Sequence, residues 1–256
     1  MESSQDRCAA YAGLMITKRR LTPELMDDPA VDPSELAHAL RYLRLVNRRL
    51  GGTGLVLQAF DRIFRTWPKN DVIRVLDVAT GSADIPIALA QWARKRGLRI
   101  EITGVDLHAA TLEVARRQTQ GWPNITLLEQ NALRLAEHFE PGSFHVVHAG
   151  LFLHHLHDLE VMTMLRIMQR LSSRAVLWND LVRSPLTLLG VRAVAWPAPR
   201  IARHDAIVSM QAAFTKREAL ELARRVGLER VTYRRRWFYR FLLRSEHPPP
   251  AGGRAG

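Results

Sequence analysis

The sequence predicts an α/β fold, a mostly parallel sheet with helices on both faces, finished by an antiparallel hairpin. Three observations predict it. Residues 72–84, V-I-R-V-L-D-V-A-T-G-S-A-D, read as an apolar strand that runs into a small-residue turn and opens a helix. Short apolar runs and amphipathic helical stretches then alternate as far as residue 179, the pattern of repeated βαβ units. After residue 228 the alternation stops, and two strand-like runs lie close enough together to pair antiparallel.

The elements follow in order. Residues 1–30 are weakly patterned and are expected to be partly disordered. Asp32-Pro33-Ser34-Glu35 is a helix start, with an N-cap Asp, a Pro at the first helical position and a Glu at the third. Leu36, Leu40, Leu43, Asn47 and Leu50 share the apolar face of that helix. Gly51-Gly52 breaks it, a second helix is predicted over residues 55–67, and Pro68 to Asp71 form a turn. The first strand covers residues 73–78 and its helix 85–96. The second strand runs over 99–105 and ends at Asp106, with a helix at 111–118. The third strand spans 125–130 and a short helix 133–138. The fourth strand spans 144–148, with a helix at 159–171 before the fifth strand at 174–179. An insertion, 181–214, precedes the capping box Thr215-Lys216-Arg217-Glu218 and a helix at 216–226 that stops at Gly227. The hairpin strands are placed at 229–233 and 236–243. The chain is thus divided into an N-terminal segment and helical lid (1–70), a sheet domain (71–246) whose insertion 181–214 covers the substrate, and a disordered tail (247–256).

Composition narrows the class. The 256 residues suffice for one α/β domain with a sizeable core. Cys8 is the only cysteine, which excludes a disulfide framework and a cysteine zinc site and fits a reducing, cytoplasmic setting. No secretory signal is visible, and the most apolar stretch, Leu186 to Trp196, is interrupted by Arg192 and followed by Pro197. The formal charge is +12, but the basic residues are scattered as doublets and triplets on polar helix faces. This describes a solvated basic surface rather than a nucleic-acid site. Nothing in the sequence sets the oligomeric state.

The turn after the first strand carries the chemistry. A helix N-terminus aims backbone N–H groups and its positive end at a ligand, and small residues let that ligand approach. A dinucleotide site wants G-x-G-x-x-G. Here the corresponding positions are Ala79, Gly81 and Ala83, and the Asp77 carboxylate would repel a pyrophosphate. The same carboxylate suits a cationic ligand with an amino group, which points to S-adenosylmethionine.

The stretch from Asp77 through Gly81, Ser82 and Ala83 to Asp84 resembles the first motif of class I methyltransferases. It is most similar to the D-x-x-x-G-[ST]-[AG]-D form of the quinone-biosynthesis methyltransferases of the UbiE/MenG type. The resemblance implies a Rossmann-like class I methyltransferase fold with seven strands and a helical lid. It places S-adenosylmethionine at Asp77, Ala79, Thr80, Gly81, Ser82 and Asp84. Asp106 and Leu107 follow the second strand, and in this family such a carboxylate accepts both ribose hydroxyls. Asn131-Ala132 stands where the family often has Asp-Ala, near the adenine amino group. The small residues Ala149 and Gly150 end the fourth strand and leave room for the sulfonium and its methyl. L-V-N-R-R-L-G-G, residues 45–52, loosely resembles the family's M-N-D segment, so Asn47 is either a site residue or a satisfied buried amide. The Pro-Gly-Gly turn usual before the fifth strand is replaced by Leu171-Ser172-Ser173-Arg174.

Methyl transfer to a phenol needs a base near the methyl. L-F-L-H-H-L-H-D, residues 151–158, brings His154 and His155 there, either as bases or as packing residues at a helix start. Asp180 closes the fifth strand beside the same cleft. His204-Asp205 is an oriented base pair or a surface turn. The adjacent histidines and Asp158 offer metal ligands, but their spacing matches no zinc pattern, and no metal is expected. The C-terminal layout H-D-x-x-x-S-x-x-x-x-F-T, residues 204–215, is similar to bacterial methyltransferases of phenolic and polyketide products. The resemblance therefore implies O-methylation of a small, apolar or aromatic hydroxyl acceptor. The alternatives are C-methylation of a prenylated quinol with contact to a membrane surface, RNA methylation, and a non-catalytic cofactor-binding protein.

Overall fold

The computed structural model describes residues 18–28, 30–49, 51–236 and 239–248. Cys8, Leu50, residues 1–17 of the expected N-terminal disorder and residues 249–256 of the expected tail lie outside the described residues. His247 is described, and its backbone N–H bonds the Arg174 carbonyl at 2.8 Å.

Seven strands form one sheet in the order β3-β2-β1-β4-β5-β7-β6. They are β1 Val72–Val78, β2 Arg99–Asp106, β3 Ile125–Glu129, β4 Phe144–Gly150, β5 Ser172–Leu181, β6 Thr232–Arg236 and β7 Arg240–Glu246. The first five are parallel, and β7 runs antiparallel to both β5 and β6. The central strands are apolar on both faces because both faces are covered. Ile73 and Val75 of β1 face one core, packed against α2 (Gly52–Ile63) and α3 (Asp84–Arg96). Leu76 and Val78 face the other, packed against α6 (Asp158–Leu171) and α9 (Lys216–Arg225).

The remaining helices are α1 (Pro33–Arg49), α4 (Ala109–Thr119), the short α5 (Leu135–His138), α7 (Pro185–Ala195) and α8 (Arg200–Ala212). Asp32 caps α1 as expected, its Oδ1 accepting from the Ser34 and Glu35 N–H groups at 2.8 and 3.1 Å. The insertion is two helices, α7 and α8. Ala195, Ala198, Ile201 and Ala202 pack with Ala39 of α1 in a small core of their own, so lid and insertion form one unit above the sheet.

Two elements differ from the sequence expectation. Helix α2 begins at Gly52 and ends at Ile63 rather than running over 55–67, because Gly51 takes the left-handed conformation (φ +85°) and starts the next helix at once. The hairpin lies about three residues further along than expected. Pairing sets β6, not apolarity: it is the outer strand, Thr-Tyr-Arg-Arg-Arg, mostly exposed. A charged edge strand guards against further pairing.

The turn after β1 is unusual in its backbone. Ala79, Gly81 and Ala83 have φ of +52°, +55° and +60°, so every second residue is left-handed. Gly81 bears this freely, while each alanine has its Cβ near the following carbonyl, at roughly 1–2 kcal/mol. Gly104 on β2 gives the turn its seat: a Cβ there would stand 2.9 Å from both Thr80 Oγ1 and Leu127 Cδ2. Ala79 is only half-buried, so little packing is lost with its methyl. Ala79→Gly is expected to raise the unfolding free energy by about 0.5–1 kcal/mol, measured by urea denaturation with an unchanged m-value.

Candidate functional site

The parallel strands end on one side of the sheet, and a cavity of about 620 Å³ opens there between the β1 turn and the α1–α7–α8 cover. That is the edge at which open α/β sheets bind ligands, and the volume is ordinary for a small-molecule site. A small side cavity of about 30 Å³ shares Asn47, Ala79, Thr80, Asp84, Gly150, Leu151 and Arg240 with it.

One half is built on the turn. Asp106 accepts the Gly81 N–H on Oδ2 at 2.9 Å and the His108 N–H on Oδ1 at 3.1 Å. Burial raises its pKa above the ordinary value, against those two bonds. Thr80, Gly81, Ser82, Leu107, Asn131 and Ala132 line the same wall. Asp84, at the start of α3, accepts the Asn47 amide N–H at 3.0 Å. Burial raises its pKa, and the nearby Asp77 adds to the effect. The other end of the Asn47 amide accepts from Arg240, so Asn47 is a bridge between two charged groups.

Several expected positions lie off the large cavity's wall or are engaged elsewhere. Asp77 borders the small side cavity and not the large one. It is buried, with Oδ1 at 2.6 Å from His148 Nδ1 and Oδ2 accepting the Thr80 hydroxyl at 2.7 Å. Gly150 gives His148 its place, since a Cβ at residue 150 would meet the ring at 2.8 Å. Ala149 is fully buried in the core below the sheet and does not border the cavity. Asn131 Oδ1 accepts the Leu133 N–H at 2.9 Å, so the atom expected at the adenine also caps a turn. Asp158 lies apart from the histidines, paired with Arg19 at 2.6 Å.

The other half depends on residues that sequence reasoning missed. Residues 18–28, expected to be weakly ordered, form a strap across the cavity. Arg19 bonds the carbonyls of His154, Leu156 and Ala212 at 2.8–3.0 Å and lies 3.9 Å above the Phe214 ring. The Asp205 carboxylate accepts the Leu25 and Met26 N–H groups at 2.8 and 3.0 Å. The strap thereby sets Glu24 and Asp27 in the cavity wall. The Glu24 carboxylate accepts from Ser209 and stands 3.6 Å from His154 Nε2 and 3.8 Å from His155 Nε2. His154 Nδ1 is 2.6 Å from Asp180 Oδ1. Asp180 has no exposed surface and sits behind His154 rather than on the wall. Burial by itself would lower the pKa of His154. The charge and hydrogen bond of Asp180, with Glu24, outweigh it and push the imidazole up to about 9. Burial works against both carboxylates, yet the histidines hold Glu24 and Asp180 below the ordinary range. His204 contacts Asp205 at 2.9 Å but is half-exposed and off the cavity wall.

Comparison with known proteins agrees with this architecture. Residues 75–174 match the methyltransferase domain family. Over 121 residues the chain is 34% identical to a demethylmenaquinone methyltransferase of Geobacillus kaustophilus, covering 46% of this chain and 49% of that protein. Over 86 residues it is 36% identical to the demethylmenaquinone methyltransferase of Chlorobaculum tepidum, covering 34% of this chain and 31% of that one. The matches thus span half or less of these curated relatives. Among solved structures, a SAM-dependent methyltransferase from Aquifex aeolicus superposes with a TM-score of 0.56 at 15% identity, over 84% of this chain and 98% of that one. The fold is the Rossmann-like class I methyltransferase fold. Residues 75–174 match a methyltransferase domain, and the cofactor that the sequence motif implies is S-adenosylmethionine.

The side chains present fit that cofactor. Asp106 offers a carboxylate to a diol. Asp84 offers one to an ammonium group. Arg240, buried, has Nε and Nη1 without hydrogen-bond partners, and it faces the side cavity as a partner for a carboxylate. When bound, the cofactor supplies the electrophilic methyl on its sulfonium.

These roles separate by substitution. Asp77→Ala is expected to lower the unfolding free energy by about 2–4 kcal/mol, since it strands a buried imidazole and frees the turn; urea denaturation measures this. Asp106→Ala is expected to lower the unfolding free energy by only about 1–2 kcal/mol, since it leaves the Gly81 and His108 N–H groups unbonded, and to weaken S-adenosylhomocysteine binding at least about tenfold, read by calorimetry.

Proposed function

We propose that this chain transfers the methyl of S-adenosylmethionine to the phenolic oxygen of a small, apolar hydroxyaromatic molecule. One observation carries the reading: a single cavity meets the cofactor turn at one end and the Glu24–His154–His155 cluster at the other. Between them the wall is apolar, with Leu40, Leu43, Val191, Val194 and Met210. The reaction is an in-line displacement. The phenolic oxygen bonds the methyl carbon, the carbon–sulfur bond breaks, and S-adenosylhomocysteine leaves. The chain's own part is to place the acceptor and draw off its proton. Glu24 and His155 border the acceptor, while Asp180 positions His154 behind them. Such assistance is typically worth about 100- to 10,000-fold.

A second reading is methylation of a quinol ring carbon. The names of the curated relatives favour it. So do Leu186, Leu189 and Trp196, exposed on and just after α7, where an apolar tail or a membrane surface could rest. Among the described residues no helix is long and apolar enough to cross a membrane.

Incubation with methyl-¹³C S-adenosylmethionine and a panel of phenols and hydroquinones, followed by NMR of the product, separates the two. A methyl ether is expected, lost in Asp106→Ala. A carbon-bound methyl on a quinol puts the second reading in its place, and no labelled product from any member overturns both.

A further inference from the structure

We propose that Glu24, His154 and His155 hold a divalent metal ion of the zinc kind, with one coordination position open to the cavity. The three ligand atoms lie within 4.8 Å of one another. Glu24 Oε1 is 3.6 Å from His154 Nε2 and 3.8 Å from His155 Nε2. Two ligands about 2.05 Å from a tetrahedral zinc stand about 3.4 Å apart, so small movements close the set.

The surroundings are those of a ligand set. His154 is 2% exposed, yet its Nε2 has no hydrogen-bond partner. Its Nδ1 is engaged by Asp180 at 2.6 Å, which leaves Nε2 as the ring nitrogen directed at Glu24, where a metal ion would replace its proton. A carboxylate behind a histidine is the usual support of a metal-bound imidazole. His155 has its own, Asp27, with Oδ2 at 3.4 Å from Nδ1. Glu24 has the Ser209 hydroxyl. Three carboxylates around two imidazoles call for positive charge at their centre, and a divalent ion supplies more of it than a proton does.

Two imidazoles and one carboxylate suit zinc and its first-row neighbours, and three protein ligands leave a fourth position free. All three residues border the cavity, so that position faces the space assigned to the acceptor. An acceptor hydroxyl bound there loses its proton more readily, as zinc-bound water does. This use rests on the proposed function; the binding of the metal does not.

The test takes the full chain without a histidine tag, stripped by chelator and then titrated with zinc or cobalt(II). About one equivalent is expected to bind, with cobalt giving the visible absorption of a four- or five-coordinate site. Glu24→Gln and His155→Gln are expected to weaken binding at least about tenfold, and Asp180→Asn about 10- to 100-fold. His138→Ala, on an exposed helix end, is expected to change nothing. Retained S-adenosylhomocysteine binding by each variant shows that its fold is intact. Binding of less than about a tenth of an equivalent, or equal affinity in His155→Gln, overturns the proposal. Equal turnover by stripped and zinc-loaded protein overturns the metal's part in the reaction and leaves methyl transfer standing. Metal binding without turnover on any acceptor overturns the proposed function instead.

Discussion

The two oxygens of the Asp77 carboxylate hold different parts of the chain, His148 on β4 and Thr80 in the turn after β1. Asp106 grips the same turn from the side of β2 through the Gly81 N–H. The turn is therefore fixed from both flanks before any ligand arrives, in a backbone that two alanines would not adopt unaided. Pre-organisation of this kind reduces the ordering that binding must otherwise supply. The rest of the site follows from it. With the turn fixed, the start of α3 delivers Asp84, and Asn47 and Arg240 close over it from α1 and β7.

Much of this was legible in the sequence, for a physical reason. The strands of a doubly covered sheet are continuous apolar runs, and the capping residues of α1 and α9 act within three or four positions. Local signals therefore located the five parallel strands and most helices. The turn too is local, and its small residues pointed to the cofactor that the comparisons support. The hairpin shifted because β6 is held by pairing with β7 rather than by apolar residues of its own.

The half of the cavity that the strap builds was less legible because its bonds are long-range. The motif at residues 204–215 could be seen as a pattern but not as a receptor. Asp205 takes the Leu25 and Met26 N–H groups, Ser209 bonds Glu24, and Phe214 lies under Arg19. Each of these partners sits in a stretch with no periodicity, where a Glu and an Asp look like ordinary surface residues. Asp77 was recognised as important, but its imidazole partner on β4 is 71 positions away. Arg240 was likewise hidden in an arginine-rich hairpin whose other arginines are mostly solvated.

The strap also has a consequence for the order in which the site is made. Glu24 and Ser209 are 185 positions apart, and Arg19 and Ala212 are 193. At about 5–20 residues per second of synthesis, on the order of ten to forty seconds pass between one partner and the other leaving the ribosome. By then β1 to β4, which frame the cofactor turn, have already been made. The turn and the strap's contacts thus differ in age within every new molecule, and Arg240, on the last strand, is made after both.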